Sequence, residues 1–271
     1  MIVDTHSHLN FQAFKKDLPE VIKRTKAAGI VCINVGTKYE TSKSAVQIAE
    51  ENDGMYAAVG LHPIYAAAEF VKTKTDPDEG EFLITEQEFD YEKYKELALS
   101  KKVVAIGEIG LDYYYKPKTT AKLADFKAKQ KKVLQQQLDL AKEFNLPIIF
   151  HCRVAHGDLI ELIKGQNLRG VIHCFTGNLE EARQYMDLGF SLGINGIIYK
   201  FNIDEVIKEA PIDKLLIETD CPYLTPKPEG DKRNEPLFIK HTIQRIAELK
   251  GVSFEEVEKQ TTENAKNLFR I

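Results

Sequence analysis

Short apolar runs alternate with longer amphipathic stretches along the whole chain. The runs IVDTH (2–6), IVCINVG (30–36), MYAAVGLH (55–62), VVAIGEIG (103–110), PIIFHC (147–152), GVIHCF (170–175), FSLGIN (190–195) and KLLIETD (214–220) are rich in strand-forming residues and too short for ordinary helices. Each reads as a buried strand. Between them, helical patterns cover 17–29, 40–52, 91–101, 121–144, 156–165, 178–189 and 204–209, and two closing helices cover 236–250 and 253–268. Strict β–α alternation predicts a parallel sheet with helical crossovers. Eight such units predict an α/β fold, a single-domain (β/α)8 TIM barrel over 1–271 with an additional C-terminal helix. No GxGxxG follows the first strand, which argues against a dinucleotide-binding sheet.

The polar residues at the ends of these runs change the picture. Strand one ends in His6 and His8, strand three in His62, strand four in Glu108, strand five in His151, strand six in His173, strand seven in Asn195 and strand eight in Asp220. Five of the seven histidines thus fall at C-terminal strand ends, where barrels of this kind build their active sites. Taken singly, each has an ordinary explanation, such as a capped loop or a satisfied core imidazole. Taken together, these carboxylates and imidazoles would pay heavily for burial unless a divalent cation balanced them. His6 and His8, two apart on a strand, point the same way, as paired metal ligands must.

Alternation along the strands extends this reading. Cys152, Cys174 and Cys221 each follow a proposed ligand by one residue and are expected to face the helix layer as small hydrophobes. Asp4 and Glu218 lie two residues before His6 and Asp220, so they are expected to face inward beneath the ligands and hold imidazole N–H groups. Arg153, two after His151, is expected at the rim, where a guanidinium can grip a phosphate.

Two segments break the rhythm. The acidic stretch 73–91 sits between the third strand and its helix and is expected over the C-terminal face. The stretch 116–132 carries seven lysines and one acid, Asp125; it reads as a solvated helix face or as a basic rim for a polyanion.

Charge and cysteines narrow the classes. A net charge of −4 excludes a basic nucleic-acid coat protein, so attraction to nucleic acid would come from cations or a local patch. The four cysteines form no CxxC pair. Few cysteines, no signal-peptide pattern and no long apolar run predict a cytoplasmic protein without a membrane span. A monomer with no obligate protein partner is expected for this size and charge.

DTHSHL, GLHP, GEIGLDYY, HCR, HCFTG, ETDCPYL and RNEP, in this order along nearly the whole chain, resemble the TatD family of metal-dependent hydrolases, amidohydrolase-like barrels. The resemblance implies a deoxyribonuclease, often a 3′→5′ exonuclease on single-stranded DNA, linked to DNA repair. It implies two divalent metal ions (Mg, Mn or Zn), one held by His6, His8 and Asp220 and the other by His151 and His173, with Glu108 bridging. It gives Asp220 the proton-accepting role and places His62 near the scissile phosphate. It also implies that Arg153, Tyr113 and Asn234 line the substrate groove. Many barrels of the wider superfamily bridge their metals with a modified lysine on strand four; Glu108 stands there in this chain. Tyr113–Tyr115 and Phe175 are the aromatic side chains expected to be available for stacking. A different ester, such as a D-aminoacyl-tRNA or a small phosphoester, is the alternative substrate.

Overall fold

A computed structural model describes residues 1–68 and 85–271. The expected strands form as β1 (Ile2–Ser7), β2 (Ile30–Val35), β3 (Met55–Val59), β4 (Val103–Asp112), β5 (Ile148–Arg153), β6 (Gly170–Ile172), β7 (Ser191–Ile194) and β8 (Leu215–Ile217). They pair in chain order, every pair parallel. Helices α1 (Leu18–Ala27), α2 (Tyr39–Glu51), α3 (Pro63–Ala66), α4 (Tyr91–Ala98), α5 (Thr120–Glu143), α6 (His156–Ile163), α7 (Leu179–Asp187), α8 (Asp204–Glu209), α9 (Ile239–Lys250) and α10 (Phe254–Phe269) cross between and follow the strands. The acidic stretch expected over the C-terminal face lies, from 73 to 84, outside the described residues.

The barrel closes at its seam with one bridge, Ser7 to Cys221, rather than a full β8–β1 ladder. Polar contacts complete the seam. Asp220 N–H donates to His6 O (2.8 Å), His8 N–H to Cys221 O (2.8 Å), and the Thr5 hydroxyl to Ile217 O (3.1 Å). Two proposed ligands, His6 and Asp220, are therefore joined through the backbone that closes the barrel.

Apolar residues separate into two cores. Val3, Ile33, Val104, Ile149, Val171 and Leu216 fill the barrel interior near the strand starts, with Ala265 and Phe269 of α10 packed on them. The C-terminal helix thus plugs the barrel end opposite the strand C-termini. The larger core lies between sheet and helices and includes Cys32, Cys152 and Cys221, as alternation predicts for the last two.

Strand length is where the sequence reading needs correction. β3, β6 and β8 end early, so His62, His173 and Asp220 stand on the turns just beyond them. β4 instead runs two residues further than expected, to Asp112. Cys174 packs on the larger core as expected and, like Cys152, it also faces the site. Its φ is +46°, its thiol lies 3.7 Å from Asn195 Oδ1, and it lines the same cavity as His173. A left-handed residue turns the chain, and strand parity does not carry across it.

Candidate metal centre

The site is assembled from the C-terminal ends of the strands and the turns that follow. His6 Nε2 and His8 Nε2 lie 3.1 Å apart. Glu108 Oε2 is 3.6 Å from His6 Nε2 and 4.0 Å from His8 Nε2. Its other oxygen, Oε1, is 2.6 Å from His151 Nδ1, 3.5 Å from His62 Nε2 and 3.7 Å from His173 Nε2. Asp220 Oδ1 lies 3.4 Å from His8 Nε2, 3.7 Å from His6 Nε2 and 3.9 Å from His173 Nε2. The six proposed metal ligands are thus in one cluster, with Glu108 reaching both halves.

Ligand-sized triads follow from these distances: His6–His8–Glu108, Glu108–His151–His173, His6–His173–Asp220 and His62–Asp112–His151, each with donor atoms within 4.8 Å of one another. Imidazoles and carboxylates at such spacing are the donor set of zinc, manganese or iron sites, and carboxylates also suit magnesium. The first two triads share Glu108, the arrangement that a bridging carboxylate requires.

Neighbouring groups fix the ring tautomers. His8 Nδ1 faces the Val35 carbonyl at 2.9 Å, which can only accept, so Nδ1 carries the proton and Nε2 keeps its lone pair for a ligand. His173 Nδ1 lies 2.8 Å from Glu218 Oε1, leaving Nε2 toward Glu108 and Asp220. Glu218 is fully buried and also accepts from Cys174 N–H (2.8 Å) and Asn195 Nδ2 (2.9 Å). It has room because residue 193 is glycine: a Cβ there would stand 2.6 Å from Glu218 Oε2. His62 works the other way. Ile64 N–H donates to its Nδ1 (3.1 Å), so the neutral ring carries its proton on Nε2, the atom facing Glu108.

The electrostatics agree with these roles. Burial would raise Glu108, but His62, His151, His6 and His173 outweigh it and hold the carboxyl well below its usual range. The same contest, decided by His173 and His8, lowers Asp220. Both stay ionised. Burial and the neighbouring His151 push His62 down to about 3, keeping it neutral. His173 goes up to about 10: burial pulls it down, but Glu218, Asp220 and Glu108 prevail.

The strand pattern alone does not mark Asp112 as a site residue. It lies four residues after Glu108, on the same face of β4, whose apolar pattern predicts an end at Gly110. Its carboxylate is 3.2 Å from His151 Nε2, accepts from Arg153 Nε (3.1 Å) and pairs with Arg153 Nη2 (2.8 Å). Asp4, in contrast, does not meet an imidazole. The register slips between Asp4 and Ser7, and Asp4 pairs with Cys32, which packs in the outer core. Its carboxylate accepts from Thr219 N–H (2.9 Å) and Oγ1 (2.6 Å) and braces the β8 turn.

The centre opens into a cavity of about 830 Å³ lined by His8, His62, Glu108, His151, His173 and Asp220, among others. Arg153 lines it as expected. Tyr113 and Asn234 are held elsewhere: the Tyr113 hydroxyl donates to Asp158 (2.8 Å), and Asn234 Nδ2 donates to the carbonyls of Thr219 (2.9 Å) and Tyr223 (2.6 Å). Tyr114 and Tyr115 line the cavity in place of Tyr113. Phe175, expected as a stacking surface, is fully buried between His156 and Tyr185. Within the lysine-rich stretch, Lys127 and Lys131 pair with Asp158 and Lys129 with Glu86.

Asp220 itself (φ +57°) and the residues after Arg153 and His173, Val154 (φ +58°) and Cys174 (φ +46°), have left-handed backbones. Each costs on the order of 1–3 kcal/mol, and such conformations persist where surrounding structure enforces them, often at functional sites.

The family model for TatD related DNase matches residues 3–270. A Bacillus subtilis (strain 168) protein named uncharacterized metal-dependent hydrolase YabD is 44% identical, covering 100% of both chains. A Yersinia pseudotuberculosis protein named 3′-5′ ssDNA/RNA exonuclease TatD is 32% identical over 99% of each. The crystal structure of the TatD homologue YjjV from Escherichia coli K12 superposes with a TM-score of 0.82, at 29% identity, covering 100% of this chain and 98% of that one.

Proposed function

The chain belongs to the TatD-related family of metal-dependent hydrolases, and from that premise we propose that it hydrolyses phosphodiester bonds of single-stranded DNA from the 3′ end. The observation that carries this reading is the shared Glu108 between two ligand triads at the floor of one open cavity. These residues would hold up to two divalent ions, which would supply charge stabilisation for displacement at a phosphate. One triad is His6 and His8, the other His151 and His173, with Asp220 completing the set. A relative named a 3′-5′ ssDNA/RNA exonuclease supports the nucleic-acid substrate.

In this reading divalent ions, when bound, ease ionisation of water and balance charge on the phosphoryl oxygens. The protein's own groups do the rest. Asp220, ionised and lining the cavity, accepts the proton of the attacking water. Neutral His62 presents an N–H donor to the oxygen that gains charge. Asp112 holds His151 and Arg153 together at the rim, and the guanidinium meets the strand's phosphate there. The proposal includes action as a monomer in the cytoplasm; among the described residues no helix is long and apolar enough to cross a membrane.

The test uses 5′-labelled single-stranded DNA and metal-stripped protein re-supplied with magnesium, manganese or zinc, beside a His6→Ala/His8→Ala variant. A ladder shortening from the 3′ end, absent in the variant, supports the reading. Metal binding without cleavage under any ion overturns the DNA substrate and directs attention to aminoacyl esters and small phosphoesters.

A further inference from the structure

Five large apolar side chains are strongly exposed among the described residues: Met1, Leu99, Tyr114, Val154 and Phe201. Single exposed hydrophobes are ordinary. Three of these five, however, line the mouth of the cavity above the metal centre: Tyr114 at 61% exposure, Val154 at 59% and Phe201 at 55%. They come from three loops, following β4, β5 and β7.

Tyr114 is held from behind. Its N–H donates to Asp112 Oδ1 (2.8 Å). The Arg153 guanidinium, itself paired with Asp112, stands 4.4 Å from the Tyr114 ring centre and 5.1 Å from that of Tyr115. Tyr115 meets Tyr114 edge-on, with centres 4.9 Å apart at 89°. The ring is therefore oriented by its neighbours while most of it stays in solvent. Exposed lysines flank the aromatic residues in the chain, Lys116 and Lys118 beyond Tyr115 and Lys200 before Phe201. An oriented aromatic face beside cations is what a single strand needs: any base stacks on the ring, and the cations answer its phosphates. Inside a duplex each base is paired and already stacked on its neighbours, so only an unpaired base is free to enter between two rings.

We propose that Tyr114 and Phe201 are specificity-determining residues, forming a stacking clamp that takes unpaired bases next to the scissile phosphate. The inference rests on the nucleic-acid reading above and states how that substrate is chosen. The clamp selects single strands over duplex ends and is indifferent to sequence.

The test measures binding and cleavage separately, on a fluorescein-labelled oligothymidylate and on the same strand with three abasic residues at its 3′ end. Binding is followed by fluorescence anisotropy with chelator-treated protein, and KM for cleavage with metal-loaded protein. Tyr114→Ala and Phe201→Ala should each weaken binding and raise KM by roughly tenfold or more, the usual worth of a base stacked on an aromatic ring. Tyr114→Phe should restore both. The abasic strand should bind wild type as weakly as it binds the alanine variants. Unchanged binding and KM in both alanine variants, or an equal loss on the abasic strand, overturns the clamp while leaving cleavage itself intact. A strand bound through Tyr114 and Phe201 but cut under no metal supports the clamp and defeats the hydrolytic assignment instead.

Discussion

Asp220 stands within 4 Å of three imidazoles on a backbone that only a well-braced turn maintains. In the proposed reaction its charge accepts the proton, so Asp220→Asn, nearly the same shape, should lower kcat by roughly a hundredfold or more. Circular dichroism and thermal melting should show an unchanged fold; near-normal turnover would defeat the assignment. His173 makes a prediction about pH. In metal-free protein its folded pKa, about 10, lies above the ordinary histidine value of about 6.5. The stability it contributes is therefore complete below about 6.5 and is lost as pH rises through about 10. The same proton must leave when Nε2 binds a cation. Calorimetric titration with zinc or manganese in buffers of different ionisation enthalpy should show proton release at pH 7.5, with affinity climbing toward alkaline pH. An affinity flat between pH 6.5 and 9 would contradict the protonated ring.

At the scale of elements, β1, β3, β4, β5, β6 and β8, or the turns just beyond them, supply the site's polar residues above apolar ones, so stability and chemistry are separated along the barrel axis. α10 belongs to the stability end. Phe269 is buried against the barrel-interior core, far along the axis from the metal ligands. Phe269→Ala should cost about 3–5 kcal/mol, read as a lower unfolding midpoint in urea. Activity measured well below the transition should stay near wild type. A loss of activity without a loss of stability would mean that the plug also shapes the site. The register slip in β1 acts at this scale too: it lets Asp4 serve the outer layer while His6 and His8, two and four residues on, serve the cavity.

For the whole molecule, the centre ties the two ends of the barrel sheet together. His6 and His8 follow from β1, Asp220 from β8, and the seam between those strands has one bridge. A cation held by His6, His8 and Asp220 would link the two strands across that seam. Stripping metal with a chelator should lower the melting temperature, and re-adding ion at a hundred times its dissociation constant should return about 2.7 kcal/mol. The His6→Ala/His8→Ala variant, which keeps the Glu108–His151–His173 triad away from the seam, should lose less in melting temperature on adding chelator than wild type does. Equal melting of wild type with and without metal would show that the seam needs no ion.

The order of apolar and polar residues was enough to determine the barrel, its strand order and the end at which the ligands gather, because burial and alternation are local properties repeated eight times. The candidate ligands His6, His8, Glu108, His151, His173 and Asp220, which the fold gathers into one cluster, were legible for the same reason. What the chain order could not contain was decided where regular strand ends. Left-handed turns at Cys174 and Asp220 redirect the chain just beyond β6 and β8, a slipped register sends Asp4 to the outer layer, and two further residues of β4 bring Asp112 to His151. Which aromatic ring meets solvent was likewise set by packing: Phe175 is enclosed by α6 and α7, while Tyr114 is held open by Arg153. Side-chain direction beyond a strand's last hydrogen bond depends on contacts between distant segments, and only the folded chain supplies those.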